Sequence, residues 1–202
     1  MNSVYPNSLE SIIEFFKKFP GIGEKSAERM ALSILNIPLD EIQIASDALV
    51  KARENLHPCD ICGNLTDSLK CNICEDEARN KNLICVVEDY KSIYAFEKTG
   101  NFKGVYHVLN GLISPIDDIG VDDINLSSLI RRIKELENPE LILALKGTIE
   151  GETTTLYIKK IFENKNVKIS RLSYGLPSGA EIDYLDMSTI EKALKDRKII
   201  SE

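Results

Sequence analysis

The sequence lacks any apolar run long enough to cross a membrane, and it shows no sign of an export signal. A spanning helix needs about 20 consecutive apolar residues, and no such stretch occurs among the 202 residues. The first residues, MNSVYP, contain neither a basic cluster nor a long apolar segment, so a secretory signal is not expected. These absences predict a cytoplasmic protein that makes no contact with membranes.

The sequence also has fewer basic than acidic residues. Lys and Arg number 25 against 32 Asp and Glu, which gives a net charge of −7 and a pI near 5.1. Binding to nucleic acid requires concentrated Lys and Arg, so the overall charge argues mildly against that function. The sum does not show where the charges lie, and an acidic protein can still present a local basic surface.

A paired set of cysteines suited to disulfides is missing as well. The chain has five cysteines, and an odd number without an export signal is not typical of a disulfide framework. Four of them form two CxxC pairs separated by eight residues: Cys59 and Cys62, then Cys71 and Cys74. Four thiolates at this spacing favour one structural Zn²⁺ per chain, in a closed tetrahedral site. Redox dithiols and an iron–sulfur cluster are the alternatives, and Cys85 is predicted to be a buried packing residue.

The sequence has neither internal repeats nor low-complexity segments. Changes in composition and in the spacing of apolar residues divide the chain into four modules. Residues 1–56 show helical apolar spacing, residues 57–80 are polar and cysteine-rich, and residues 81–173 alternate strand-like runs with helical stretches. Residues 174–202 are predicted to serve in assembly and to contain an amphipathic helix. The alternation in the third module is typical of a mostly parallel sheet flanked by helices. The predicted fold class is therefore a multi-module α/β protein.

Four strands and three helices are expected in the sheet-forming module. The strands are predicted at 83–87, 105–109, 141–145 and 167–169, and the helices at 92–98, 126–136 and 153–162. Continuous apolar runs of this kind indicate strands buried on both faces. His107, in the second strand, is expected to be structural rather than a general base.

The stretch 19–29, FPGIGEKSAER, resembles a helix-hairpin-helix motif. Gly21 and Gly23 allow the backbone to approach a DNA phosphate closely, and N–H groups at the start of the next helix can donate to it. Lys25 and Arg29 are four residues apart and therefore share one helix face. Such contacts hold DNA without reading its sequence.

The alternative interpretation of this stretch is an ordinary corner between two helices that binds nothing. Glu24 and Glu28 favour that alternative, because they dilute the positive charge of the motif. The combination of paired glycines, apolar spacing and two cations favours the DNA-binding interpretation.

Three acids are expected at the carboxyl edge of the sheet, where open α/β sheets bind ligands. Glu88 follows the first strand, and Glu150 and Glu152 follow the third. This resembles the Toprim domain of topoisomerases and primases, in which such a Glu and an Asp-x-Asp pair before Glu-Gly-Glu hold Mg²⁺ for phosphoryl transfer. Here Lys146 and Thr148 stand at the Asp-x-Asp positions. The loss of two carboxylates leaves weak metal binding, partner docking or plain solvated acids as the open interpretations.

The order of these modules resembles that of the RecR family of recombination mediators along nearly the whole chain. The strings that carry the resemblance are FPGIGEKSAER at 19–29, YHVLNGLISP at 106–115, EGETTTLY at 150–157 and YGLPSGAEIDY at 174–184. The loss of the Asp-x-Asp pair is itself a feature of that family.

The resemblance implies a role rather than a reaction. Members of the family form homo-oligomeric rings, as dimers or tetramers, that encircle single- or double-stranded DNA. With RecO, and in many bacteria RecF, they help load RecA onto single strands coated by single-strand-binding protein. Two alternatives stay open: a Toprim-type, Mg²⁺-dependent nuclease or topoisomerase-like enzyme, which Lys146 and Thr148 disfavour, and a protein scaffold that never touches DNA.

Overall fold

A computed structural model describes residues 4–173 and 175–200. Tyr174, the first residue of the last string above, lies outside the described residues. The chain divides into two compact units, Met1–Leu56 and His57–Glu202. No helix in the described part of the chain is both long enough and apolar enough to span a bilayer.

The first unit is helical, as the sequence predicts. It consists of α1 (Asn7–Phe16), α2 (Glu24–Ser33), a 3-10 helix (Ile34–Asn36) and α3 (Leu39–Asn55). A small core lies between α1 and α2, where Ile13, Ala27 and Ala31 are buried. Small side chains on α2 let the two helices approach closely, and Ile22 packs against this core from the hairpin between them.

Helix α3 differs from its neighbours because none of its 17 residues is buried. The apolar spacing of Ile44, Ala48, Ala52 and Leu56 predicts one helix face, and all four are exposed. Ile44 is 69% exposed. The other helices of this unit therefore leave that face uncovered.

The second unit begins with a small cysteine-rich segment and continues into a four-stranded sheet. The segment contains β1 (His57–Pro58), β2 (Leu65–Thr66) and α4 (Asn72–Glu75). The sheet module contains β3 (Asn80–Val87), α5 (Tyr90–Lys98), β4 (Gly104–Val108), α6 (Leu126–Ile133), β5 (Glu140–Ala144), α7 (Ile149–Phe162) and β6 (Lys168–Arg171). A 3-10 helix (Ile182–Tyr184) and α8 (Met187–Lys195) follow.

The sheet has the strand order β4-β3-β5-β6, and all three pairings are parallel. Its core lies on two faces. On one face, α6 and α7 pack against alternate residues of the central strands, such as Ile84, Val86 and Leu141. On the other face, α5 packs through Ile93 against Cys85 and its neighbours. The predicted multi-module α/β fold is confirmed.

Several element bounds differ from the prediction by two to four residues; β3, for example, begins at Asn80, three residues before the predicted start at 83. Helix α7 begins at Ile149, four residues before the predicted start at 153. The earlier start arises because the Thr148 side chain caps the helix by accepting a hydrogen bond from the Gly151 N–H. Helix α6 ends at Ile133, three residues before the predicted end at 136.

Candidate functional site

The four cysteines predicted to bind zinc converge on one point. Their Sγ atoms all lie within 4.8 Å of one another, and those of Cys62 and Cys71 are 3.6 Å apart. Four sulfurs around a single zinc ion are separated by about 3.8 Å, given Zn–S bonds of about 2.3 Å. Within residues 4–173 and 175–200, no other group of three or more His, Cys, Asp and Glu side chains converges in this way. This group can hold one metal ion.

Backbone turns aim the sulfurs inwards. Gly63 adopts a positive φ of 74°, and its N–H donates to the Cys59 carbonyl at 2.9 Å. The Asn64 N–H then points at Cys62 Sγ, at 3.4 Å. The Cys71 N–H similarly points at Cys59 Sγ, at 3.3 Å. Because an N–H group beside a sulfur stabilises the thiolate, these turns prepare two of the ligands for a cation.

The cysteine-rich segment is fixed to the edge strand β4 of the sheet. The Val108 N–H donates to the Cys62 carbonyl at 2.7 Å. Ile73 packs against the cysteines and against the cores on both faces of the sheet. Lys81 Nζ donates to the Cys74 carbonyl at 2.9 Å. A metal ion at this centre would therefore hold a segment that is already docked on the sheet.

The hairpin between α1 and α2 presents open backbone. Gly21 has a φ of 80°, and a Cβ atom built on Gly21 or Gly23 would meet nothing within 4 Å. Gly23 is the N-cap of α2 and offers no side chain to the first N–H groups of the helix. Those N–H groups therefore have no capping side chain and are open to an external acceptor, as at anion-binding helix starts.

Two cations accompany this open backbone. Lys25 and Arg29 are both exposed and lie one turn apart on α2. Glu24, which counts against DNA binding in the sequence, forms an ion pair with Lys17 at 2.9 Å. Hydrogen bonds to Glu14 and Glu24 raise the pKa of Lys17 above its usual range, so the partner stays charged. Sequence reasoning missed Lys17, although its position at the end of α1 was a usable signal.

At the carboxyl edge of the sheet, each of the three acids interacts with a different side chain. Lys146 Nζ donates to Glu88 Oε1 at 2.8 Å. A hydrogen bond from the Thr148 hydroxyl lowers the pKa of Glu150. Glu152 Oε1 accepts from Arg171 Nη1 at 3.3 Å. The three carboxylates do not form a second group of converging metal ligands among the described residues.

His107 is not a catalytic base in this geometry. Its side chain is fully buried in β4, and Nε2 lies 2.8 Å from the Asn125 carbonyl oxygen. Burial lowers the pKa of this imidazole to about 4, so it stays neutral near neutral pH. No opening to solvent connects it with the acids of the carboxyl edge, since it is completely enclosed.

A half-buried network that the sequence did not reveal joins the cysteine-rich segment to the sheet. Arg79 Nη1 donates to Glu97 Oε1 at 3.0 Å and to the Gly104 carbonyl at 3.1 Å. The Tyr106 hydroxyl donates to the same Glu97 oxygen at 2.7 Å. The Arg79 guanidinium holds the pKa of Glu97 below its usual range. These residues are far apart in sequence, and no spacing pattern connects them.

Three family models match the chain in the order that the sequence predicts. The model described as RecR, helix-hairpin-helix matches residues 9–53. The Toprim domain model matches residues 82–173, and the model described as RecR, C-terminal matches residues 175–198. The four-cysteine segment lies between the first two matches. The chain therefore belongs to the RecR family, as its motif strings predicted.

Proposed function

We propose that this chain is a non-enzymatic recombination mediator in DNA repair. Membership of the RecR family supports DNA binding in a recombination and repair role. We assign to it a homo-oligomeric ring, a dimer or a tetramer, that encircles single- or double-stranded DNA without sequence preference. With RecO, and with RecF where the cell has it, the ring helps load RecA onto DNA coated by single-strand-binding protein in the cytoplasm.

The observation that carries this proposal is the open hairpin with its two exposed cations. Gly21 and Gly23 leave room for a phosphate against the backbone. Lys25 and Arg29 provide about two phosphate contacts per chain, which is a weak electrostatic interaction at physiological salt. Several chains around one DNA molecule multiply that interaction through effective concentration. An acidic protein can therefore bind DNA, provided that the hairpins face the DNA.

We assign a structural Zn²⁺ to the four-cysteine centre, with Cys59, Cys62, Cys71 and Cys74 as its ligands. The sulfurs lie within 4.8 Å of one another. That separation suits one central ion better than a cluster with several irons between the sulfurs. Four protein ligands leave no position for a substrate, so the ion would supply folding energy rather than catalysis.

The absence of enzyme activity is part of the proposal, and the chemistry of the carboxyl edge supports it. A Toprim metal centre needs several carboxylates that converge on Mg²⁺. In this chain Lys146 donates its hydrogen bond to the first of them, Glu88. Thr148 is occupied as the cap of α7. Glu150 and Glu152 alone have too little negative charge in one place to replace the missing pair.

Assembly into a ring requires two separate contact surfaces on each chain, and the two units each offer one. In the first unit, α3 exposes Ile44, Leu49 and Val50. In the second unit, the C-terminal segment exposes Met187 and Leu194. Apolar groups of this size are normally covered when they form a continuous patch. We propose that both surfaces are covered by neighbouring copies, in agreement with the assembly role predicted for residues 174–202.

DNA binding by charge variants of the hairpin tests the proposed function. We expect Lys25→Ala and Arg29→Ala each to weaken binding to all DNA sequences alike, because phosphates carry no base identity. The slope of log affinity against log salt should fall by about 1 for each cation removed. Fluorescence anisotropy with single- and double-stranded oligonucleotides, at several salt concentrations, measures both quantities.

Matched variants elsewhere in the same unit provide the control. Lys51→Ala and Arg53→Ala remove the same charges from α3, away from the hairpin, and should change the salt slope much less. Solution mass must be equal for all variants, so that an assembly defect is not mistaken for a lost contact. If the wild type and the Lys25→Ala/Arg29→Ala double variant bind DNA equally well, the hairpin has only a structural role and does not contact DNA.

A further inference from the structure

The Toprim fold family implies a divalent cation at the carboxyl edge of the sheet, and the residues of this chain do not fit one. With the order β4-β3-β5-β6, the chain leaves β3 towards one side of the sheet and β5 towards the other. The crevice between the ends of β3 and β5 is therefore the expected ligand position. Glu88 follows β3 and Lys146 follows β5, so these two residues flank that crevice.

The contact between these two residues occupies the place where a cation would bind. Lys146 Nζ lies 2.8 Å from Glu88 Oε1, and the Glu88 side chain is only 20% exposed. Glu88 Oε2 is buried and accepts no hydrogen bond from the described residues, so the ammonium is the charged partner of this carboxylate. The hydrogen bond to Glu88 raises the pKa of Lys146, which keeps the amine charged. A metal ion approaching Glu88 would meet a positive charge already in contact with it.

The backbone that carries Lys146 is held firmly by the start of α7. A Cβ atom on Gly151 would lie 1.9 Å from the Lys146 carbonyl oxygen, so the first turn of the helix lies directly against this residue. The Thr148 side chain caps the same turn. Lys192 Nζ also donates to the Gly147 carbonyl, which ties α8 to the loop. The ammonium therefore extends from a fixed position towards Glu88.

We propose that Lys146 is a built-in replacement for the divalent cation of the Toprim edge. Its ammonium neutralises Glu88 and joins the ends of β3 and β5, which lie in neighbouring strands. The crevice is consequently closed to Mg²⁺ and its structure does not depend on the Mg²⁺ concentration. This inference concerns the sheet edge alone and does not rest on the proposed DNA-binding function.

Restoring the carboxylates tests the replacement directly. Lys146→Asp combined with Thr148→Asp rebuilds the Asp-x-Asp pair beside Glu88, and Asp at 148 can still cap α7. We expect this full-length variant to bind Mn²⁺ at least about tenfold more tightly than the wild type, because affinity for hard cations follows the ligand charge count. Electron paramagnetic resonance of free Mn²⁺ measures binding. Adding Glu88→Gln to the rebuilt variant should abolish the gain.

A second variant keeps the test decisive if the rebuilt chain folds poorly. Lys146→Ala leaves Glu88 without its cation and should lower the unfolding temperature, and MnCl₂ should restore part of the loss where NaCl of equal ionic strength does not. Lys168→Asp is the matched control, since Lys168 pairs with Glu140 at 3.0 Å on the surface. Its variant should gain no Mn²⁺ binding. Tight Glu88-dependent Mn²⁺ binding by the wild type, or no response to Mn²⁺ in either Lys146 variant, would overturn the proposal.

Discussion

Gly151 shows how one absent side chain determines the geometry of the carboxyl edge. Glycine within a helix costs about 0.5–1 kcal/mol relative to alanine, so propensity alone favours alanine at this position. A Cβ atom there would lie 1.9 Å from the Lys146 oxygen, which is backbone and cannot rotate away. Overpacking against a fixed group typically costs about 1–3 kcal/mol. The steric term therefore outweighs the propensity term, and glycine permits the contact that positions Lys146.

His107 illustrates a titratable group whose role is structural. Its Nε2 is 2.8 Å from the Asn125 carbonyl oxygen, which requires a proton on that nitrogen. Nδ1 is buried and has no hydrogen-bond partner among the described residues. Charging the ring would add a second buried N–H without an acceptor, which explains why burial lowers the pKa to about 4.

The depressed pKa of His107 predicts a pH dependence of stability. Between pH 6.5, the ordinary pKa of histidine, and about 4, His107 is protonated in the unfolded chain but neutral in the folded chain. Stability should therefore fall as the pH is lowered through this window, by up to about 1.4 kcal/mol per pH unit from this residue. Urea unfolding at pH 7.0, 6.0 and 5.0 measures the slope.

His107→Gln separates this residue from other groups that titrate in the same window. Glutamine can donate to the Asn125 carbonyl but does not titrate, so its variant should show a shallower slope. Metal release and carboxylate protonation affect both proteins alike. Identical slopes for the wild type and the variant would contradict the assignment.

At the scale of elements, the cysteine-rich segment depends on its neighbours. Strands β1 and β2 have two residues each, and a ribbon of that size is not stable alone. Ile73 and the Arg79–Glu97 contact fix the segment to the sheet, and a metal ion held by the four sulfurs would fix it from within. The first contribution is present in the chain itself, while the second requires a metal ion.

Removal of one sulfur ligand should release the metal. We expect one zinc per chain in the wild type by elemental analysis, and a large loss of zinc in Cys71→Ser with a lower unfolding temperature, because metal binding and folding of this segment are coupled. Cys85→Ala is the control. Cys85 lies in β3 outside the cluster, and burial raises its pKa to about 12, so it is an inert thiol.

Full zinc content in Cys85→Ala would show that the loss is specific to the cluster. Native Cys71→Ser with undiminished zinc, or wild-type protein that contains iron or no metal after gentle purification, would overturn the zinc assignment.

The sequence predicted the elements of the sheet because their apolar runs are continuous. All four strands and three helices occur close to the predicted positions, and the two CxxC pairs converge as expected. Apolar spacing could not predict contacts between residues distant in sequence, such as that between Glu88 and Lys146, which are 58 residues apart. The capped start of α7 was missed because the Thr148 cap is a contact between a side chain and the backbone, which apolar spacing does not show. The exposure of α3 was also missed, because apolar spacing shows a face but not whether anything covers it.

At the scale of the whole molecule, two observations need an explanation: the net negative charge of a DNA-binding chain and the exposed apolar faces of α3 and the C-terminal segment. Both are explained if the chain works as part of an assembly. The chain has a net charge of −7, yet two cations stand beside the open hairpin. In the proposed ring that pair would be repeated around the DNA, so affinity would depend on the number of chains. Acidic residues elsewhere then limit nonspecific association of the rings.

Disrupting the exposed face of α3 should therefore weaken DNA binding without altering the hairpin. Ile44 is 69% exposed, and Ile44→Asp places a charge where we propose that a neighbouring copy packs. The expected result is a lower solution mass by light scattering and a DNA affinity that falls when the protein is diluted below its assembly threshold. Ser46→Asp adds the same charge at an exposed polar position of α3 and should change neither quantity. If Ile44→Asp keeps the wild-type mass and affinity, assembly does not use this face, and the two-surface ring proposed above is wrong.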